Sequence, residues 1–231
     1  MLIAGFPAEA FDTNCYVIAP AAGEECVIVD PGYGVSGRLD EVLAEHRLRP
    51  VAVLLTHGHL DHTFSVTPVC GAKGVPAYVH PDDCALLERP ERGLSADMVA
   101  MLGGLDWSEP SDVKPLADGE AVQLAGLEIT VDHAPGHTRG SVMFRLPAVE
   151  DIPEVCLSGD VLFAGSIGRT DLPGGDHATM LHTLRKKVLT LPDTMAVLPG
   201  HGPQTTIGRE RQANPFLQDL PDGDADAGAA G

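Results

Sequence analysis

Basic residues are scarce in this 231-residue chain. Fifteen Lys and Arg stand against 33 Asp and Glu, a formal net charge of -18. Such a field repels phosphates, which excludes nucleic acid as a general partner while leaving room for a local basic pocket. Long apolar runs are lacking too. No window reaches the roughly 18 apolar residues that a membrane span needs. The start, Met1-Leu2-Ile3-Ala4-Gly5-Phe6, has neither the basic segment nor the apolar length of a secretory signal. The five cysteines, Cys15, Cys26, Cys70, Cys84 and Cys156, are odd in number and include no C-x-x-C pair. That pattern predicts reduced, space-filling thiols in a cytoplasmic protein and argues against a disulfide framework. With 44% apolar residues the chain can still build a core. The expectation is a soluble protein with one large domain, residues 1–216. An acidic Gly/Ala tail, 217–231, has almost nothing to bury.

What the chain does have is a concentration of imidazole and carboxylate. The run Thr56-His57-Gly58-His59-Leu60-Asp61-His62 packs three histidines and an aspartate directly behind the apolar segment Val51-Ala52-Val53-Leu54-Leu55. Imidazole nitrogen and carboxylate oxygen suit zinc and similar divalent ions. His57 and His59 are two apart, so an extended backbone sets them on one face. Gly58 lets the chain approach whatever they hold.

Pattern and turn signals predict strands near 1–6, 14–19, 25–30, 51–55, 75–79, 113–116, 120–125, 127–132, 141–146, 155–158 and 195–198. Helices are predicted at 36–48, capped by Ser36 and ended by Pro50, and at 62–70, 82–87, 177–190 and 207–216. The Gly/Pro-punctuated stretch 89–112, with the single tryptophan Trp107, reads as a loop near a site or a surface crossover. Strand groups interleaved with helices in both halves indicate an α/β (α+β) chain with a sheet-on-sheet core flanked by helices.

Four of the apolar segments lead into a ligand-type residue. Val51–Leu55 leads to His57, and Leu127–Asp132 leads through Pro135-Gly136 to His137. Glu154–Ser158 leads through Gly159 to Asp160, and Met195–Leu198 through Pro199-Gly200 to His201. Loops on one rim of a sheet can converge in this way. The residues then fall into two sets: His57, His59 and His137 for one metal, and Asp61, His62 and His201 for a second. Asp160, with two oxygens, can bridge them.

The order T-H-x-H-x-D-H, then G-H, G-D and a late G-H, resembles the metallo-β-lactamase superfamily over about residues 1–215. Thr13-Asn14-Cys15-Tyr16, Val29-Asp30-Pro31-Gly32, His133-Ala134-Pro135-Gly136-His137-Thr138 and Ser158-Gly159-Asp160-Val161-Leu162-Phe163 are similar to the glyoxalase II-like hydrolases within it. Gly168-Arg169-Thr170-Asp171 and Pro199-Gly200-His201-Gly202-Pro203 resemble their short bacterial branch, nearest to actinobacterial members. The resemblance implies an αββα sandwich of two mixed sheets flanked by helices. It also implies two divalent metal ions, zinc first, with iron or manganese as alternatives.

The implied activity is hydrolysis of a small thioester, an S-2-hydroxyacyl-thiol, by a hydroxide bridging the metals. Asp61 would be a ligand that also orients that hydroxide. His133 is expected to steady the ligands from behind. Arg169, and with it Arg139, is expected to contact substrate, Arg169 through a guanidinium fork suited to a carboxylate or tied up by Asp171. Glutathione-using members carry a basic helical C-terminal extension and a Gly-Lys-x-Tyr element. This chain ends soon after Phe216 and has Asp171 in the tyrosine's place. That speaks for another small thiol, with mycothiol fitting the actinobacterial likeness. Two alternatives come with the family. One is a persulfide dioxygenase, with a single non-haem iron and a shared Gly-Arg-Thr-Asp stretch; the other is a β-lactamase- or lactonase-like hydrolase. The partner expected throughout is a small molecule, with neither nucleic acid nor membrane.

Overall fold

Residues 1–102, 107–150 and 152–220 are described by the structure, a computed structural model. The short apolar segments of the first half form a six-stranded sheet in sequence order. Its strands are β1 (Leu2–Pro7), β2 (Asn14–Ala19), β3 (Glu25–Val29), β4 (Arg49–Leu54), β5 (Ala77–Val79) and β6 (Val113–Pro115). β1 to β3 pair antiparallel and β3 to β6 parallel. A second six-stranded sheet uses β7 (Ala121–Leu124), β8 (Leu127–His133), β9 (Val142–Leu146), β10 (Val155–Gly159), β13 (Ala196–Pro199) and β14 (Thr205–Thr206). It is antiparallel except where β10 meets β13, so both sheets are mixed. A small hairpin, β11 (Leu162–Phe163) with β12 (Ser166–Ile167), stands beside it.

Alternation along the strands explains the layers. In β2, Cys15, Val17 and Ala19 face a helical layer, while Tyr16 and Ile18 face the other sheet. In β9, Val142, Phe144 and Leu146 meet that inter-sheet core from the far side, and Met143 points into the second helical layer. The helices α1 (Ser36–His46), α2 (Leu60–Thr63), α3 (Val66–Lys73), α4 (Cys84–Glu88) and α5 (Ala96–Leu102) follow strands of the first sheet. α6 (His177–Thr183), α7 (Ile207–Ala213) and α8 (Pro215–Gln218) go with the second. The αββα sandwich expected from the sequence is the observed fold.

Several boundaries differ from expectation. Ser36 opens α1 rather than capping it, and the bond that starts the helix runs from Leu39 N–H to the Val35 carbonyl. Arg47, in the left-handed region, ends α1, and Pro50 sits inside β4 at a register shift against Cys26, where no ladder donor is required of it. The helix predicted over 62–70 begins at Leu60 and is split between Thr63 and Val66. The one predicted over 177–190 widens into a π-type turn at Leu184–Val188. The packed chain also crosses the boundary placed after 216: Leu217, in α8, is buried against the second helical layer. The rest of the expected tail, from 221, lies outside the described residues.

Candidate metal centre

All seven ligand-type residues named from the sequence meet at one edge of the sandwich, just beyond the ends of four strands. His57 follows β4, His137 follows β8, Asp160 follows β10 and His201 follows β13. His59 is extended and ends the loop, and Asp61 and His62 lie in the short α2 behind it. The two sheets are stitched together at this edge. Val142 N–H donates to the Thr56 carbonyl at 2.8 Å, and Asn14 N–H to that of Gly200 at 2.7 Å. The turns must be tight. A Cβ on Gly200 would lie 2.2 Å from Asp160 Oδ1, and one on Gly159, already at φ +49°, would meet Thr56 at 2.6 Å.

The donor atoms form two sets. His57, His59 and His137 make one, with His137 Nε2 at 2.8 Å from His59 Nδ1 and 3.2 Å from His57 Nε2. Asp61, His62 and His201 make the other, with His201 Nε2 at 3.2 Å from both His62 Nε2 and Asp61 Oδ2. Asp160 lies between them: Oδ1 is 3.3 Å from His62 Nε2, and Oδ2 is 3.6 Å from both His137 Nε2 and His201 Nε2.

The outer nitrogens fix where the lone pairs point. His137 Nδ1 faces the Arg169 carbonyl at 2.7 Å, and His201 Nδ1 faces that of Phe11 at 3.0 Å. His62 Nδ1 faces Asp30 Oδ2 at 2.9 Å. Thr56 Oγ1 gives its own proton to Asp30 Oδ2 at 2.6 Å, so it accepts from His57 Nδ1 at 3.1 Å. These oxygens can only accept, so each ring donates outward and turns a bare nitrogen inward. His59 turns Nδ1 toward the set and leaves Nε2 buried on its outer side without a partner, and Asp160 Oδ1, within the set, likewise has no hydrogen bond of its own. Converging lone pairs beside two carboxylates repel one another unless a cation takes them, so the donor set fits divalent metal ions.

The electrostatics differ between the two sets. Burial first, then the neighbouring imidazoles, hold His57 well below the usual histidine range and His59 down to about 3, which keeps both neutral and able to ligate. Burial would also discharge His62, but Asp160, Asp61 and Asp30 outweigh it and raise that group. Burial works against ionisation of Asp61 and Asp160 as well, and His62 above all reverses it, leaving both carboxyls below their ordinary range.

Two carboxylates essential to this geometry carried no role in the sequence reading. Asp30, buried and at φ 50°, takes Thr56 N–H, Thr56 Oγ1 and His62. Asp83, also buried, accepts from Gly58 N–H at 2.8 Å, Gly140 N–H at 2.8 Å and Thr138 Oγ1 at 2.7 Å, tying the His57–His59 loop to the loop behind His137. Asp30 stood in a quoted motif; Asp83 reads as an ordinary residue at the start of a helix.

The outlying expectations divide. Arg169 lines the cavity above the centre, with its fork closed on Asp171 at 2.7 and 2.8 Å. Arg139 is exposed and does not line that cavity; its carbonyl accepts from His133 at 2.8 Å. His133 touches none of the seven residues through a hydrogen bond. Its ring is stacked on His80, 4.0 Å away and nearly parallel, so its contribution is to brace the 133–139 turn. Of the 89–112 stretch, Gly93, Leu94 and Met98 line the cavity, and Trp107 Nε1 donates to the Leu87 carbonyl; residues 103–106 lie outside the described residues.

Comparison with known proteins places this geometry. Residues 8–201 match the model of the metallo-beta-lactamase superfamily, and the chain belongs to that superfamily as one of its metallo-hydrolases. An uncharacterized protein of Mycobacterium tuberculosis is 48% identical over 95% of this chain and 99% of its own. The hydroxyacylglutathione hydrolase GloC of Haemophilus influenzae is 35% identical over 91% of this chain and 95% of its own. Among solved structures, the B3 metallo-beta-lactamase BLEG-1 superimposes with a TM-score of 0.82 at 37% identity, covering 94% of this chain and 99% of that one. TTHA1623 in a di-iron-bound form gives 0.76 at 38% identity, covering 93% and 100%.

Proposed function

We propose that the protein is a cytoplasmic hydrolase of small thioesters of the S-2-hydroxyacyl-thiol kind, working with two divalent metal ions. The observation that carries the reading is the pair of three-residue donor sets with Asp160 between them. The similarity to GloC supports the thioester. Zinc is the first assignment; the di-iron form of TTHA1623 supports iron as an alternative, and manganese fits the same donors.

His57, His59 and His137 would hold one ion, Asp61, His62 and His201 the other, and Asp160 would touch both. Ions in such a pair supply acidified water and polarise a carbonyl. The chain itself supplies orientation. Asp61, which opens on the cavity, is placed to accept a hydrogen bond from the attacking water and aim it. None of the five cysteines lines the cavity, and burial raises each thiol above its usual range. A thioester needs little more, because thiolate leaves without a protonated partner.

His201, ranged against Asp61 and His62, favours this reading over a single-iron persulfide dioxygenase, which would use two histidines and an aspartate. The 37% identity to BLEG-1 keeps β-lactam hydrolysis as a second reading, which turnover of nitrocefin tests. For the first, we expect His57→Ala and Asp160→Ala each to lower metal content and thioester hydrolysis together, rates by at least about 100-fold. Metal analysis beside kinetics checks this; full activity in a variant that has lost one ion would refute the paired-metal reading.

A further inference from the structure

The cavity over the centre has an ionisable floor and largely apolar walls. It holds about 740 Å³, within the range of small-molecule sites, and its floor is formed by His59, Asp61, His137, Asp160 and His201. Away from that floor the walls are apolar. Phe11, Tyr33, Phe64, Leu94, Met98 and Phe163 are among the residues that line them. Arg169 is the one Lys or Arg among the described lining residues, and its Nε and Nη2 are paired with Asp171.

The aromatic groups are also left uncovered. Phe11 is 63% exposed and Tyr33 42%, although both stand at the mouth of a buried ionic cluster. Tyr33 is held edge-on to Phe64 at 4.6 Å, so this wall is ordered rather than collapsed into the opening. Exposed aromatic area facing a cavity gains by covering an apolar ligand. A carboxylate or ammonium entering the same walls would lose water and meet few polar groups there, Ser166, the Tyr33 hydroxyl and an Arg169 already paired with Asp171.

We infer that the walls bind an uncharged apolar substituent next to the scissile carbonyl, so that the substrates are thioesters with an aliphatic or aromatic group. This rests on the hydrolase reading for the reaction but on the walls alone for the binding. The group is carried either on the acyl side or on the sulfur side of the ester. The polar remainder of the molecule lies at the open mouth.

The test uses the full-length, metal-loaded protein and two thioester series. One lengthens the acyl chain from acetyl to octanoyl on N-acetylcysteamine. The other keeps a lactoyl group and lengthens an alkyl thiol. We expect kcat/KM to rise about two- to fourfold per methylene in one series, the factor that burial of a CH₂ allows. A carboxylate at the end of the chain should abolish the gain. Phe11→Ala and Phe163→Ala should each flatten the slope. Calorimetry with uncleavable S-octyl and S-ethyl thioethers of N-acetylcysteamine reads the walls without turnover. Tighter binding of the octyl compound with no thioester hydrolysed would uphold the cavity assignment and overturn the thioesterase reading. Flat responses in both series together with equal binding of the two thioethers would overturn the cavity assignment.

Discussion

Asp30 does at the residue scale what no ligand could do for itself. One buried carboxylate accepts from a backbone N–H, a hydroxyl and an imidazole, and so orients His57 through Thr56 and His62 directly. Asp30→Asn keeps the shape but replaces an acceptor oxygen with a donor, which turns the His62 ring or leaves it unanchored. Metal affinity should fall by roughly 10–100-fold, the usual effect of losing such a partner, in a competition titration against a chelator. Unchanged affinity would show that the imidazoles are aimed by packing alone. The seven inward-facing residues were legible in the sequence because their identities and local spacings state their chemistry. Asp30 and Asp83 were not, since an aspartate looks the same in a sequence whether it is solvated or buried among donors.

At the scale of elements, the centre depends on turns rather than on regular structure. The strand ends deliver the ligands, and glycine makes room between them. Gly200→Ala would press a methyl group against Asp160 Oδ1 and His62 Cε1, 2.2 and 2.7 Å from the ideal Cβ position. We expect that variant to fold, because β13 ahead of it is unaffected, but to lose metal on purification, which elemental analysis would show. Asp83 acts between loops. Asp83→Ala would strand the Gly58 and Gly140 amides and leave the Thr138 hydroxyl with Ser141 alone, a cost of about 2–4 kcal/mol that a shift in thermal midpoint would report. The longer strands were legible as apolar runs between turn signals, buried on both faces. The two-residue strands β11, β12 and β14 were not, for two residues make no run. Pro50 misled for a related reason: proline signals a break, yet a register shift in β4 accommodates it.

For the whole molecule, the centre acts as a clasp between the two sheets. Its ligands come from strand ends of both, so ions bound there favour the folded chain over the unfolded one. Chelation should lower the thermal midpoint, and added zinc, or the native ion if different, should restore it; a midpoint indifferent to chelator would mean that the sheets hold the edge together unaided. Among the described residues, no helix is long and apolar enough to cross a membrane. Covalent spacing alone determined that His57, His59, Asp61 and His62 would stand together, and the short apolar runs determined the longer strands. Tertiary structure alone decided that Asp30 and Asp83 brace the two sets and that aromatic side chains from distant segments wall the cavity. Those contacts join residues up to 190 positions apart, as between His201 and Phe11, and their distances are set by how two sheets pack, which no local pattern encodes.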